Sequence, residues 1–127
     1  MEIHEYNRRE HEKDIFQLLL EYTGAEELNN RKEDYKRLLF QSETFVAYMK
    51  DELVAYTRCI QDGGFNVWIV ELLVNPRFQS QGIGGRLLEY VKSLYPFEDV
   101  YVLSEEDEYY MKKSYKKIGS IFEITRR

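Results

Sequence analysis

The sequence predicts a mixed α/β fold in one domain, residues 1–127, and three observations carry that expectation. At 127 residues the chain can bury a sizeable core but has no room for a second one. Segments with strand patterning alternate with segments whose apolar residues recur at helical spacing. One stretch, residues 65–74, is almost uninterruptedly apolar, as a strand covered on both faces would be.

In chain order, residues 1–7 form a short candidate strand. Residues 9–22 carry Ile15, Leu18, Leu19 and Tyr22 at helical spacing, and Thr23-Gly24 ends that helix. Asn30 can cap a second helix running to about Phe40, with Tyr35, Leu38 and Leu39 on one face. Residues 44–49 and 53–60 read as strands joined by a tight Lys50-Asp51 turn, and Asp62-Gly63-Gly64 makes a second hairpin turn into the apolar strand. Ile83, Leu87, Leu88, Val91 and Tyr95 then form one helical stripe, stopped by Pro96. Residues 100–103 make a strand. Ser104 and Asp107 have capping-box spacing for a last helix through Ile118, with Gly119 as its end signal, and residues 121–125 make a final strand.

Composition narrows the function. A hydrophobic content of 43% beside 32% charged residues is that of an ordinary globular protein, and a net charge of −5 without a basic stripe argues against a nucleic-acid partner. A single cysteine, Cys59, cannot build a disulfide framework and suits a reducing compartment. The chain shows neither a signal peptide nor an apolar run of membrane-spanning length, so a cytoplasmic protein without a membrane partner is expected.

The most informative segment is Val74-Asn75-Pro76-Arg77-Phe78-Gln79-Ser80-Gln81-Gly82-Ile83-Gly84, which joins the apolar strand to the amphipathic helix. Gly82 and Gly84, with Gly85 as a third small position, leave the helix's first turn without side chains. The first N–H groups of a helix lack partners inside it, and the macrodipole places positive potential there, so a diphosphate can approach. Gln79 and Gln81 add neutral amides at the rim, and Arg77 and Arg86 supply nearby positive charge. Two better-known phosphate loops do not fit. The chain has no G-x-x-x-x-G-K-[ST] string, and a dinucleotide fingerprint would need glycine where Leu87 stands.

What remains, V-x-P-x-x-Q-x-x-G-x-G, resembles the signature of the GNAT superfamily of N-acetyltransferases, matched at Gln79, Gly82 and Gly84 after a strand ending in Val-x-Pro. The element order matches that family over essentially the whole chain. The resemblance implies a mixed sheet of six to seven strands with a splayed central strand and four helices on both faces, the last strand pair being truncated in so short a chain. It also implies acetyl-CoA as co-substrate, with no metal. Leu72, Leu73 and Val74 would pair with the pantetheine arm and polarise the thioester carbonyl through backbone N–H. Gln79, Ser80, Gln81, Gly82, Ile83, Gly84 and Gly85 would hold the diphosphate.

For the leaving thiolate the resemblance points to Ser114-Tyr115-Lys116-Lys117-Ile118-Gly119, which matches the family's F-Y-x-K-x-G from the tyrosine onward and makes Tyr115 the general acid. A phenol, with an ordinary pKa of about 10, arrives protonated at neutral pH. Ser114, Met111 and Ser120 depart from the pattern, and Glu108 stands where many members carry a pantetheine-contacting asparagine. Tyr115 could equally be plain core, sharing a helical face with Met111 and Ile118. Glu71, the only ionisable residue inside the apolar strand, is the candidate base or substrate carboxylate, with water completing the relay if needed. It could instead pair with an arginine such as Arg58. His4 and His11 read as surface residues. The acidic string Glu105-Glu106-Asp107-Glu108 could attract a cationic amine, and Lys112, Lys113, Lys116 and Lys117 form a solvated face from which some could touch the nucleotide's 3′-phosphate.

The expected reaction is acetyl transfer to a primary amine of a small molecule or protein, and a homodimer stays open. Two other readings remain: a degenerate module that binds acyl-CoA as a sensor or interaction partner without turnover, and a small protein-interaction domain, which leaves the glycine loop unexplained.

Overall fold

The computed structural model describes residues 1–126, apart from the side chains of Tyr22 and Thr23, so the place expected for Tyr22 on an apolar helix face lies outside the described residues. Five strands form one sheet in sequential order: β1 (Glu2–Glu5), β2 (Glu43–Met49), β3 (Glu52–Asp62), β4 (Asn66–Val74) and β5 (Asp99–Val102). The first three pairings are antiparallel and β4 with β5 is parallel. Four helices accompany them: α1 (Arg8–Thr23), α2 (Ala25–Gln41), α3 (Ile83–Leu94) and α4 (Asp107–Lys112). None is long and apolar enough to cross a membrane among the described residues.

Strand alternation sends successive side chains to opposite faces and so builds two cores. Val46, Tyr48 and Tyr56 pack with Ile15, Leu18 and Leu19 of α1 and Leu28 and Leu39 of α2. On the other face Phe45, Ala47, Ala55, Val67 and Ile69 pack with Ile83, Leu87, Leu88 and Val91 of α3.

The helix α1 starts where Asn7 caps it, its side chain accepting from the Glu10 N–H at 3.2 Å. His11 lies not on the surface but buried in this same turn, its Nδ1 accepting from the Asn7 N–H at 2.8 Å. The second helix begins five residues before the expected Asn30 cap. Gly24, at φ +82°, closes α1 and opens α2 at once, and Glu26 and Glu27 complement the new helix's dipole. Asn30 is an exposed interior residue, and Leu38 faces partly outward while Leu39 enters the core.

The apolar strand is not covered along its whole length. Only Val67 and Ile69 of β4 are buried, and Trp68 and residues 70–74 keep some exposure. The cause is topological. Strand β3 pairs with β4 as far as Val74, but β5 pairs only with residues 66–69, and the Leu103 N–H to Ile69 carbonyl bond (2.9 Å) is the last contact before the two chains part. Val70 is an extra residue between the Arg58–Glu71 and Cys59–Ile69 pairs, a bulge at the start of the splay.

The sheet therefore has five strands, not six to seven, among the described residues. The final helix stops at Lys112 instead of reaching Ile118, because Ser114 adopts φ +63° and breaks the helical path. Ser104 does not form the expected capping box. Its Oγ accepts from the Glu106 N–H (3.1 Å) in a turn ahead of the helix. Residues 121–125 form no strand, and Ile121, Phe122 and Ile124 are 69–92% exposed. A lone short run without a hairpin mate gains little by adding to an edge.

Candidate active site

The loop after β4 is shaped by its own backbone. Pro76–Phe78 make one 3₁₀ turn, and the buried Asn75 side chain accepts from the Arg77 N–H at 3.0 Å. Ser80 and Gly82 both lie in the left-handed region, at φ +64° and +78°, so successive N–H groups face one concavity. The first helical bond of α3 runs from Arg86 N–H to the Gly82 carbonyl at 3.1 Å. Among the described residues no backbone bond takes the N–H groups of Ile83, Gly84 or Gly85, and the first turn carries no acidic side chain.

Close approach of Tyr109 favours glycine at 84, and glycine at 85 leaves room for the flexible end of Lys113. A Cβ on Gly84 would lie 2.8 Å from the Tyr109 hydroxyl and 3.6 Å from both Leu72 and Val74. A Cβ on Gly85 would lie 2.6 Å from the Lys113 ammonium. One wall of the site is therefore α4 with Lys113 just after it, the segment in which the sequence named Glu108, the four lysines and Tyr115. Tyr109 and Lys113 are four residues apart and so share a helix face, the signal that singles them out.

Arg77 does not line this site with free charge. It ion-pairs with Glu52 and stacks over Phe78, 5.5 Å from the ring centre. Gln79 turns its amide back toward the Val74 carbonyl (3.5 Å), while Ser80, Gln81 and Gly82 are exposed at the loop's rim. Leu72 and Val74 face α3, and Leu73 faces the α1–α2 core.

Glu71 points to that second face. Arg58 Nε donates to it at 2.5 Å and the Tyr56 hydroxyl at 3.2 Å, while Arg58 also donates to Ser42 Oγ at 3.1 Å. The arginine pairing left open by the sequence is thus present, set by the direct Arg58–Glu71 register. Burial above all, then the Glu71 carboxylate, pushes the Tyr56 hydroxyl well above the ordinary phenol range. The same two causes raise Tyr35 of α2, which overlooks the pair.

Tyr115 follows the end of α4 and is 40% exposed, its N–H donating to the Tyr110 carbonyl at 3.2 Å. Its hydroxyl has no hydrogen-bond partner among the described residues, while the Tyr109 hydroxyl lies over Gly84. The acidic string is exposed, and Lys117 holds Asp107 at 3.1 Å, which lowers that carboxyl below its usual range.

The chain, with its glycine-floored helix start beside a splayed parallel pair, belongs to a known family. Residues 6–119 match the acetyltransferase (GNAT) family. Among solved structures, a GNAT family acetyltransferase from Streptococcus pneumoniae superposes with a TM-score of 0.74 at 21% identity, over 99% of this chain and 98% of that one. An aminoglycoside acetyltransferase from an uncultured soil metagenomic sample, in complex with sisomicin, gives 0.72 at 21% identity over 99% and 96%. The aminoglycoside acetyltransferase AAC(6')-Iy, bound to a bisubstrate analogue of CoA and acetylneamine, gives 0.75 at 13% identity over 99% and 97%. At such identities these likenesses speak to the fold. No curated protein matches the sequence.

Proposed function

We propose that the protein is an acetyl-CoA-dependent N-acetyltransferase acting on a primary amine of a small molecule or peptide. The observation that carries this reading is the part of β4 that β5 leaves after Ile69, which runs to the glycine-floored first turn of α3. An extended edge can take an amide-bearing arm as an added strand, so Leu72, Leu73 and Val74 hold pantetheine. The N–H groups of Ile83, Gly84 and Gly85 hold the diphosphate, with Gln79, Ser80, Gln81 and Gly82 around it. In the reaction the amine nitrogen bonds to the thioester carbonyl carbon while a β4 N–H steadies the carbonyl oxygen. The carbon–sulfur bond then breaks, sulfur takes up a proton and the nitrogen gives one up. Tyr115 is the proton donor by motif, and Glu71 the acceptor, directly or through water. Neighbours named as aminoglycoside acetyltransferases favour a small amine acceptor.

A second reading has its own observation. Arg58 already neutralises Glu71, and Tyr115 lies beyond α4, an arrangement that suits a module binding acyl-CoA without turnover. Thiol release from acetyl-CoA against a panel of amines, run beside calorimetric CoA binding, separates the two. Release that depends on the amine supports the transferase. Binding without release from any acceptor supports the module, and no binding removes both.

A further inference from the structure

Arg58 and Glu71 pair where β4 has already parted from β5, on the side of the sheet that α1 and α2 cover. Their hydrogen-bonding capacity is only partly used. Of the guanidinium donors, Nε is taken by Glu71 and one Nη1 hydrogen by Ser42. Nη2 has no protein partner among the described residues and is not sealed from solvent. Each Glu71 oxygen accepts one bond, from Arg58 or from Tyr56, and a carboxylate oxygen can accept another. Tyr35 overlooks the pair from α2, packed on the same core as Tyr56 and Leu73. The charges in this corner cancel. Arg58 faces Glu71 at 2.5 Å, and the other ionised groups acting on Tyr35, Glu27 and Arg31, are again one of each sign. A polycationic acceptor would meet repulsion as well as attraction here. A molecule with an anion beside its amine matches both ends of the pair.

We propose that the acceptor is an amino acid, its amine directed to Glu71 and its carboxylate held by the outer edge of the Arg58 guanidinium together with the Tyr35 hydroxyl. This rests on the transferase reading and names the substrate class for it, with Arg58 as the specificity-determining residue. The two groups of the acceptor must lie only a few bonds apart, because the guanidinium and the Glu71 carboxylate are in contact. Arginine suits the task, since its planar fork can serve Glu71 and a second carboxylate at once, whereas an ammonium is a point charge. An amine lacking the carboxylate would cover these donors and leave them unpaired, so the site discriminates against it.

The test is thiol release from acetyl-CoA with the proteinogenic amino acids, their decarboxylated amines, their methyl esters and simple polyamines. The wild type should turn over at least one amino acid. Its decarboxylated amine and its ester should show KM raised by roughly tenfold to a hundredfold, with kcat changed much less. In Arg58→Lys the KM of the amino acid should rise toward that of the amine, whose own KM moves little. Tyr35→Phe should do the same to a smaller degree, and it leaves the Arg58–Glu71 pair intact should Arg58→Lys fold poorly. Equal service of acid, ester and amine by the wild type would overturn the proposal, as would turnover of amines or polyamines without any amino acid. Either result leaves the transferase reading standing. Variants that alter acid and amine alike would also overturn it. No release from any acceptor would remove the transferase reading and the proposal together.

Discussion

The two faces of β4 are built from opposite materials. Toward α3 the strand shows Leu72 and Val74 to a floor of glycine, overlooked by the Tyr109 hydroxyl and the Lys113 ammonium. Toward α1 and α2 it shows Glu71, already engaged by Arg58 and Tyr56. The first face can bind by main-chain geometry and tolerates almost no added side chain. The second acts through ionisable groups that hold each other in place and can be retuned by substitution. Under the proposed function, recognition of the co-substrate falls to the first, and the proton acceptor and acceptor choice to the second.

The largest effect is expected on the glycine face. Gly84→Glu places a bulky anion where a Cβ alone would already meet Tyr109, and both sterics and repulsion should remove CoA binding. Calorimetry showing wild-type affinity would break the comparison. Next comes the proton donor. Tyr115→Phe should lower kcat by about a hundredfold and leave CoA affinity nearly unchanged, as loss of a group acting only as the bond breaks. If Tyr109→Phe shows that loss instead, the acid is the α4 hydroxyl over Gly84.

On the ionisable face, Glu71→Gln should slow turnover, again sparing CoA affinity. Because the change also weakens a partly buried pair with Arg58, a thermal melt should register a loss of about 1–3 kcal/mol. A lower melting temperature with unaltered turnover would make Glu71 a structural partner of Arg58.

The smallest effect concerns His11, remote from both faces. Burial lowers its pKa below the ordinary 6.5, so the folded state binds fewer protons than the unfolded one there. Its contribution to stability is complete above pH 6.5 and lost as pH falls below it. Denaturant melts at pH 7.5 and 5.5 should reveal this loss in the wild type and a smaller one in His11→Gln.

The glycine face was legible in the sequence because its chemistry is local: a strand, a turn and a helix start are contiguous, and residues 74–85 specify them without help from elsewhere. The Arg58–Glu71 pair was visible only as an option, since a cross-strand contact depends on register and the Val70 bulge sets that register. Lys113 was legible only as one of four lysines, and the packing of α4 on the two glycines is what sets it and Tyr109 apart. Beyond Lys112 the helical pattern misled, because the motif around Tyr115 speaks for a helix while Ser114 turns left-handed. The missing final strands have the same origin: alternation in residues 121–125 promises a strand, and pairing requires a mate.

The most direct test is amide NMR of the wild type titrated with CoA. The expected result is that the N–H resonances of Ile83, Gly84 and Gly85 shift most, downfield as they acquire an anionic acceptor, with Leu72, Leu73 and Val74 following. Shifts confined to α1, α2 and the surroundings of Arg58, with the glycine amides unmoved, would contradict the division of labour between the two faces of β4.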